Sequence, residues 1–233
     1  FIGIFTLNCK VKIMSSHARP TECSENPAHD CAICPRLVQF RQQNQEKFPD
    51  KFNAPVPSFG PQDASLLVVG LAPGLKGANF TGRPFTGDYA GDLLYSTLKT
   101  YGFAHGTYDK RPDDGLTLTG CRITNAVRCV PPENKPTGDE IKNCQPFFQK
   151  TMSDMPQLRV LLALGKIAHD TVIRTFGYKL SAHKFAHRAV HDLGDGLSMI
   201  DSYHCSRYNT QTGRLTEAMF HDVFDDIAAM LKS

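Results

Sequence analysis

Two rhythms of apolar and polar residues alternate along this chain. Leu66-Leu-Val-Val-Gly is a continuous apolar run that stops at a glycine, the pattern of a strand buried on both faces. Leu158–Leu164 comes near it, and Cys121–Val127 and Ser198–Tyr203 are further candidate strands with polar residues among the apolar ones, the last ending at His204. Between these runs the apolar residues open to the three-and-four spacing of amphipathic helices. That spacing predicts helices from Arg36 to Lys47, from about Gly91 to Tyr101, from Gly165 to about Phe176 and from Thr216 to Leu231. Thr137-Gly-Asp-Glu opens another, because a threonine with a glutamate three residues on is a capping-box pattern; that helix carries Cys144.

Strands alternating with helices predict an α/β fold with a central four-stranded parallel sheet flanked by helices. Residues 1–29 lack periodicity and read as a disordered or loosely attached arm, which leaves 30–233 as one domain. Met14 is read as the initiator. In open parallel sheets a ligand sits beyond the carboxyl ends of the strands. Three polar or glycine-rich features fall there: the loop from Gly70 to Asp88, Asn125, and His204.

Composition narrows the class. With 233 residues, 41% hydrophobic and 21% charged, the chain matches an ordinary globular protein whose core needs no disulfides. A net charge of +3 permits a polyanionic partner without demanding one. Lys179, His183, Lys184, His187, Arg188 and His191 form a cationic cluster, read either as a solvated basic face or as a polyanion contact. Phe1–Phe5 is too short for a signal core or a membrane span. The eight cysteines are too dispersed for a disulfide-stapled mini-domain. The expectation is a cytoplasmic location, neither secreted nor in a membrane.

Four of the cysteines stand out. Cys31 and Cys34 form a C-x-x-C pair, and Cys129 and Cys144 flank a Pro/Gly-rich stretch. Four thiolates can close on zinc or on an iron–sulfur cluster. Zinc knuckles usually show two close pairs, whereas fourteen residues separate Cys129 from Cys144; spacing alone leaves both metals open. Cys23 is an alternative ligand, and Cys9, Cys121 and Cys205 are read as ordinary thiols.

Six segments in order carry a resemblance: Cys31-Ala-Ile-Cys-Pro-Arg-Leu, Val56-Pro-Ser-Phe-Gly, Leu66-Leu-Val-Val-Gly-Leu-Ala-Pro-Gly, Gly82-Arg-Pro-Phe-Thr-Gly-Asp, Thr124-Asn-Ala-Val-Arg-Cys-Val-Pro-Pro, and His204-Cys-Ser-Arg-Tyr-Asn-Thr-Gln-Thr-Gly-Arg-Leu-Thr. Together they resemble the iron–sulfur uracil-DNA glycosylases of type b, the fifth family of that superfamily. The resemblance implies a hydrolase that cuts the bond between a damaged base and deoxyribose in DNA. It implies a structural [4Fe–4S] cluster on Cys31, Cys34, Cys129 and Cys144, with zinc as the alternative. Uracil, hypoxanthine and ethenocytosine are the expected substrates, in duplex and single-stranded DNA. A monomer is expected. The competing reading is a non-catalytic iron–sulfur module that binds nucleic acid.

The expected site follows from chemistry beside the resemblance. A base buried in a duplex must be flipped out to be reached, and Phe85 is placed to stack on it. Gly70 and Ala72 border the base. The Asn125 amide offers one donor and one acceptor, matching N3–H and O4 of uracil, where cytosine presents the opposite pattern. His204 donates to the base oxygen on which charge grows. Asp88 faces the oxocarbenium-like sugar, while Asp92 is read as the cap of the following helix. Leu71 stands where several relatives carry a water-activating side chain, and Cys205 where many have proline. The backbone amides from Gly74 to Gly82 can approach phosphate or base closely. Ser206, Arg207, Asn209, Thr210, Thr212 and Arg214 are expected to touch DNA phosphates or fill the gap left by the base.

Overall fold

The computed structural model describes residues 24–232. The readings of Met14, Cys9, Cys23 and the opening apolar residues lie outside the described residues. In chain order the elements are α1 (Pro35–Lys47), β1 (Leu66–Gly70), α2 (Ala78–Thr81), α3 (Tyr89–Thr100), β2 (Ala104–His105), β3 (Thr117–Leu118), β4 (Cys121–Asn125), α4 (Gly138–Ser153), β5 (Val160–Leu164), α5 (Lys166–Thr175), β6 (Val190–Gly194), β7 (Leu197–Ser202), α6 (Arg207–Gln211) and α7 (Glu217–Lys232).

Four parallel strands in the order β4-β1-β5-β7 form the sheet, and β6 adds an antiparallel edge. The α/β fold with a central parallel sheet flanked by helices is therefore as the apolar runs predict. Successive side chains on a strand face opposite sides, and the core divides accordingly. Leu66, Val68 and Ile123 pack with Leu94, Leu98, Phe220 and Phe224 of α3 and α7. Leu67, Val69 and Leu161 pack with Phe148 and Val172 of α4 and α5.

The β6 edge is an addition to the expected sheet. Its residues alternate exposed and buried, so it lacks the continuous burial of β1, β4 and β5. Asp195 and Gly196 join it to β7, both at positive φ (51° and 75°), which tight hairpin turns require.

Helix starts follow their caps. Thr137 and Glu140 make the reciprocal capping box, and the Thr216 hydroxyl accepts from Met219 N at 3.1 Å. The cap of α3 is Asp88, whose Oδ1 accepts from Gly91 N at 3.3 Å. Asp92, expected in that role, lies in the first turn and pairs with Lys110 at 2.9 Å. Residues 24–29, the described part of the segment read as an arm, lie against the domain. Asn26 Oδ1 accepts from Ser58 N at 3.0 Å, and Glu25 pairs with Arg122. Arg122 and Arg128 are buried, and buried cations need such partners.

No helix among the described residues is long and apolar enough to cross a membrane.

Candidate active site

The parallel register sets Gly70 beside Asn125 at the carboxyl edge of the sheet. A cavity of about 670 Å³ opens there, lined by the loop from Leu71 to Ala78 and by Phe85, Asp88, Asn125, His204, Ser206 and Arg207. The strand-end features from three separate strands thus meet around one space.

Asn125 is 3% exposed, and no group among the described residues bonds its side-chain amide. Buried polar groups are nearly always paired, so the Asn125 amide on this cavity wall is free to bond whatever enters. Gly70 gives it room. A Cβ there would lie 2.3 Å from Asn125 Oδ1 and 2.7 Å from Phe85 Cζ. Gly70→Ala is expected to displace both side chains by about an ångström, a misplacement that can cost a reacting site roughly 10²-fold in rate; a crystal structure of the variant and its single-turnover rate against the native one check this.

Phe85 adopts φ of 52°, an outlier for a bulky residue that costs about 1–3 kcal/mol. Its surroundings hold it there. Its carbonyl accepts from Tyr108 Oη at 3.1 Å, and the preceding Pro84 carbonyl accepts from Tyr95 Oη at 2.6 Å. Arg83 forks onto Asp114 with two bonds of 2.8 Å, donates from Nε to Thr86 Oγ1, and lies over the Phe59 and Tyr95 rings. The Phe85 ring lines the cavity, 6.0 Å from the His204 ring.

Burial lowers the His204 pKa to about 4, so the imidazole is neutral near pH 7. Asn209 Nδ2 donates to the His204 carbonyl at 2.8 Å and holds the turn. Burial raises the pKa of Asp88, while the amides of Gly91 and Ala90 favour its charged form. Besides capping α3, Asp88 lies over Gly77, where a Cβ would come within 2.5 Å of Oδ2.

The residues expected to touch DNA divide into two groups. Ser206 and Arg207 border the cavity. Asn209, Thr210 and Thr212 turn their side chains onto backbone carbonyls of the His204–α6 segment, and Arg214 lies 4.7 Å from the Tyr203 ring centre. Those four hold the turn. Sequence reasoning passed over Lys76, Tyr89 and Tyr208. Lys76 and Tyr89 line the cavity, Arg207 sits 5.3 Å from the Tyr89 ring centre, and Tyr208 is 71% exposed on α6. It also passed over the Arg83–Asp114 brace, although a charge inside Gly82-Arg-Pro-Phe was a signal.

The second cluster lies behind the cavity. Cys31, Cys34, Cys129 and Cys144 are free thiols lining one small recess with Arg41 and Asn143. Arg41 Nη1 lies 4.0 Å from Cys129 Sγ, and Asn143 Nδ2 donates to Cys34 Sγ at 3.5 Å. Burial pushes Cys129 and Cys144 up to about 12 and about 11 as thiols; a bound cation would displace those protons. Four cysteines lining one recess, with N–H donors beside two of the sulfurs, match the donor set of a thiolate-held metal group.

The uracil DNA glycosylase superfamily model matches residues 57–228. A type-5 uracil-DNA glycosylase of Thermus thermophilus is 44% identical over 198 residues, covering 83% of this chain and 90% of that protein. Another, from Pyrobaculum aerophilum, is 36% identical over 205 residues, covering 86% and 88%. A type-4 uracil-DNA glycosylase of Sulfurisphaera tokodaii is 31% identical over 153 residues, covering 65% and 57%. A cavity beyond the carboxyl ends of the strands is where α/β sheets of this kind bind their ligands. The chain belongs to the uracil DNA glycosylase superfamily.

Proposed function

We propose that this chain excises uracil from DNA by drawing the nucleotide out of the helix into the 670 Å³ cavity and hydrolysing its N-glycosidic bond. The observation that carries this reading is the unpaired Asn125 amide. It pairs with N3–H and O4 of uracil, and the packing of Gly70 and Phe85 around it limits its turning over to suit cytosine. Phe85 stacks on the base. His204 donates to the base oxygen that gains charge as the C–N bond breaks. Asp88, as carboxylate, stabilises the oxocarbenium-like sugar and orients water. Leu71 lines the cavity without supplying a base, so electrostatic stabilisation carries much of the rate. This tolerant pocket extends to hypoxanthine and ethenocytosine. Cys31, Cys34, Cys129 and Cys144 hold a [4Fe–4S] cluster that cross-links the scaffold. The protein acts as a monomer beside the DNA in the cytoplasm.

The test is a panel of duplex and single-stranded oligonucleotides carrying uracil, hypoxanthine, ethenocytosine or no lesion, given to the native protein and to Asn125→Asp. The native protein should release uracil fastest, and Asn125→Asp should lose discrimination between uracil and cytosine. Tight DNA binding with no base released from any duplex would leave the non-catalytic binding module instead.

A further inference from the structure

We infer that His187 is a positioning residue: through the backbone of Tyr203 it holds the turn that presents His204 to the cavity. This rests on the role proposed for His204.

Tyr203 stands between the end of β7 and His204. Its backbone N–H donates to His187 Nδ1 at 3.2 Å. Only an unprotonated ring nitrogen can accept that bond, so the His187 proton sits on Nε2, which is buried beside the Met219 backbone. The imidazole also lies nearly flat on the Tyr203 ring, with centroids 4.9 Å apart and planes 15° apart. His187 does not line the cavity, so it can reach the reaction only through the residue it holds. The groups facing it are the Met219 backbone, Arg188 and Asp222, and burial lowers its pKa, which keeps Nδ1 free to accept.

A buried polar cluster fixes the segment that carries His187. His169 Nδ1 lies 2.8 Å from Asp201 Oδ1, and His169 Nε2 lies 2.9 Å from the His183 carbonyl. The His183 carbonyl only accepts, so Nε2 carries a proton, and a carboxylate beside Nδ1 favours a second one there. Burial opposes the charge that second proton brings, and the Asp201 carboxylate outweighs it. The other Asp201 oxygen takes His191 Nε2 at 3.0 Å. Backbone bonds complete the anchor: Arg188 N donates to the Asp201 carbonyl at 2.8 Å, and Asp201 N to the Ala189 carbonyl at 2.9 Å. His187 is thus tied one residue from a fixed strand pairing. Asp201, two residues before Tyr203, is the common anchor of both segments.

Two variants separate the hydrogen bond from the packing. His187→Asn keeps an acceptor near the position of Nδ1, and His187→Phe keeps a flat ring without one. On a uracil duplex, His187→Phe should lower the single-turnover rate about tenfold with DNA affinity within about twofold, while His187→Asn stays near the native rate. In a His204→Ala background, His187→Phe should cost nothing further, as for two residues acting through one group. The inference is overturned by a native rate in His187→Phe, by a tenfold loss that persists without His204, or by His187→Asn proving as slow as His187→Phe while unfolding at the native temperature. A native rate in His204→Ala would instead overturn the role of His204 itself.

Discussion

Replacing His204 by Ala is expected to lower the single-turnover rate of uracil release by about 10²–10³-fold, the cost of one donor aimed at developing charge, with binding of a uracil duplex little changed. As the C–N bond lengthens, negative charge gathers on the base oxygens, and a fixed donor there stabilises the transition state more than the ground state. The pH profile identifies which form of the imidazole acts. Burial places the His204 pKa at about 4, so the ring loses its proton as pH rises through that value and stays neutral above it. The part of the rate that depends on His204 should therefore be flat from about pH 5 to 8. An imidazolium donor with an ordinary pKa would instead lose rate as pH rises through about 6.5. A His204-dependent falling limb there, or an unchanged rate in His204→Ala, would sink this account.

The sheet was readable because β1 and β5 are buried along their whole length and are apolar throughout, whereas β4, equally buried, carries Arg122, Thr124 and Asn125 and was marked chiefly by Cys121, Ile123 and the apolar residues beyond it. β6 escaped because it is an edge whose outward residues answer to water. Its signal was the Asp195-Gly196 pair before Leu197. Asn125 and His204 were legible because polar residues at strand ends gain nothing from the core they adjoin. The choice between Asp88 and Asp92 was not, since either carboxylate could cap a helix in sequence; the extended backbone of Asp88 decides it. The Arg83–Asp114 brace joins two loops, and no local pattern links residues so far apart. The cationic cluster was misleading in part. His191 is buried on Asp201, and the clue was Asp201 itself, a carboxylate within an apolar strand that has to have a partner.

Cys129→Ala should yield a protein depleted of iron whose thermal midpoint lies roughly 10–20 °C below the native one. A group bound to all four cysteines closes the chain between the C-x-x-C pair and Cys129. Closing a loop of roughly 100 residues contributes about 4–5 kcal/mol by the chain-entropy argument, and each kcal/mol moves the midpoint of a chain of this size by about 2–4 °C. Cys121→Ala is the control, since Cys121 is fully buried in the sheet core away from the other four. It should cost only the small cavity it leaves, with iron intact. The effect should also reach the chemistry. Cys129 and Cys144 pack with Val127 and with Ala72, and Ala72 lines the cavity. Val127 N bonds the Leu71 carbonyl and Ala126 N the Gly70 carbonyl, at 2.9 Å each. Loosening Cys129 therefore loosens the two loops that set Gly70 against Asn125. At a temperature where Cys129→Ala is still folded, base release should fall more than DNA affinity does. Native iron content and an unchanged midpoint in Cys129→Ala would remove the cross-link, whereas a colourless native protein with stoichiometric zinc would keep the cross-link and change only the metal.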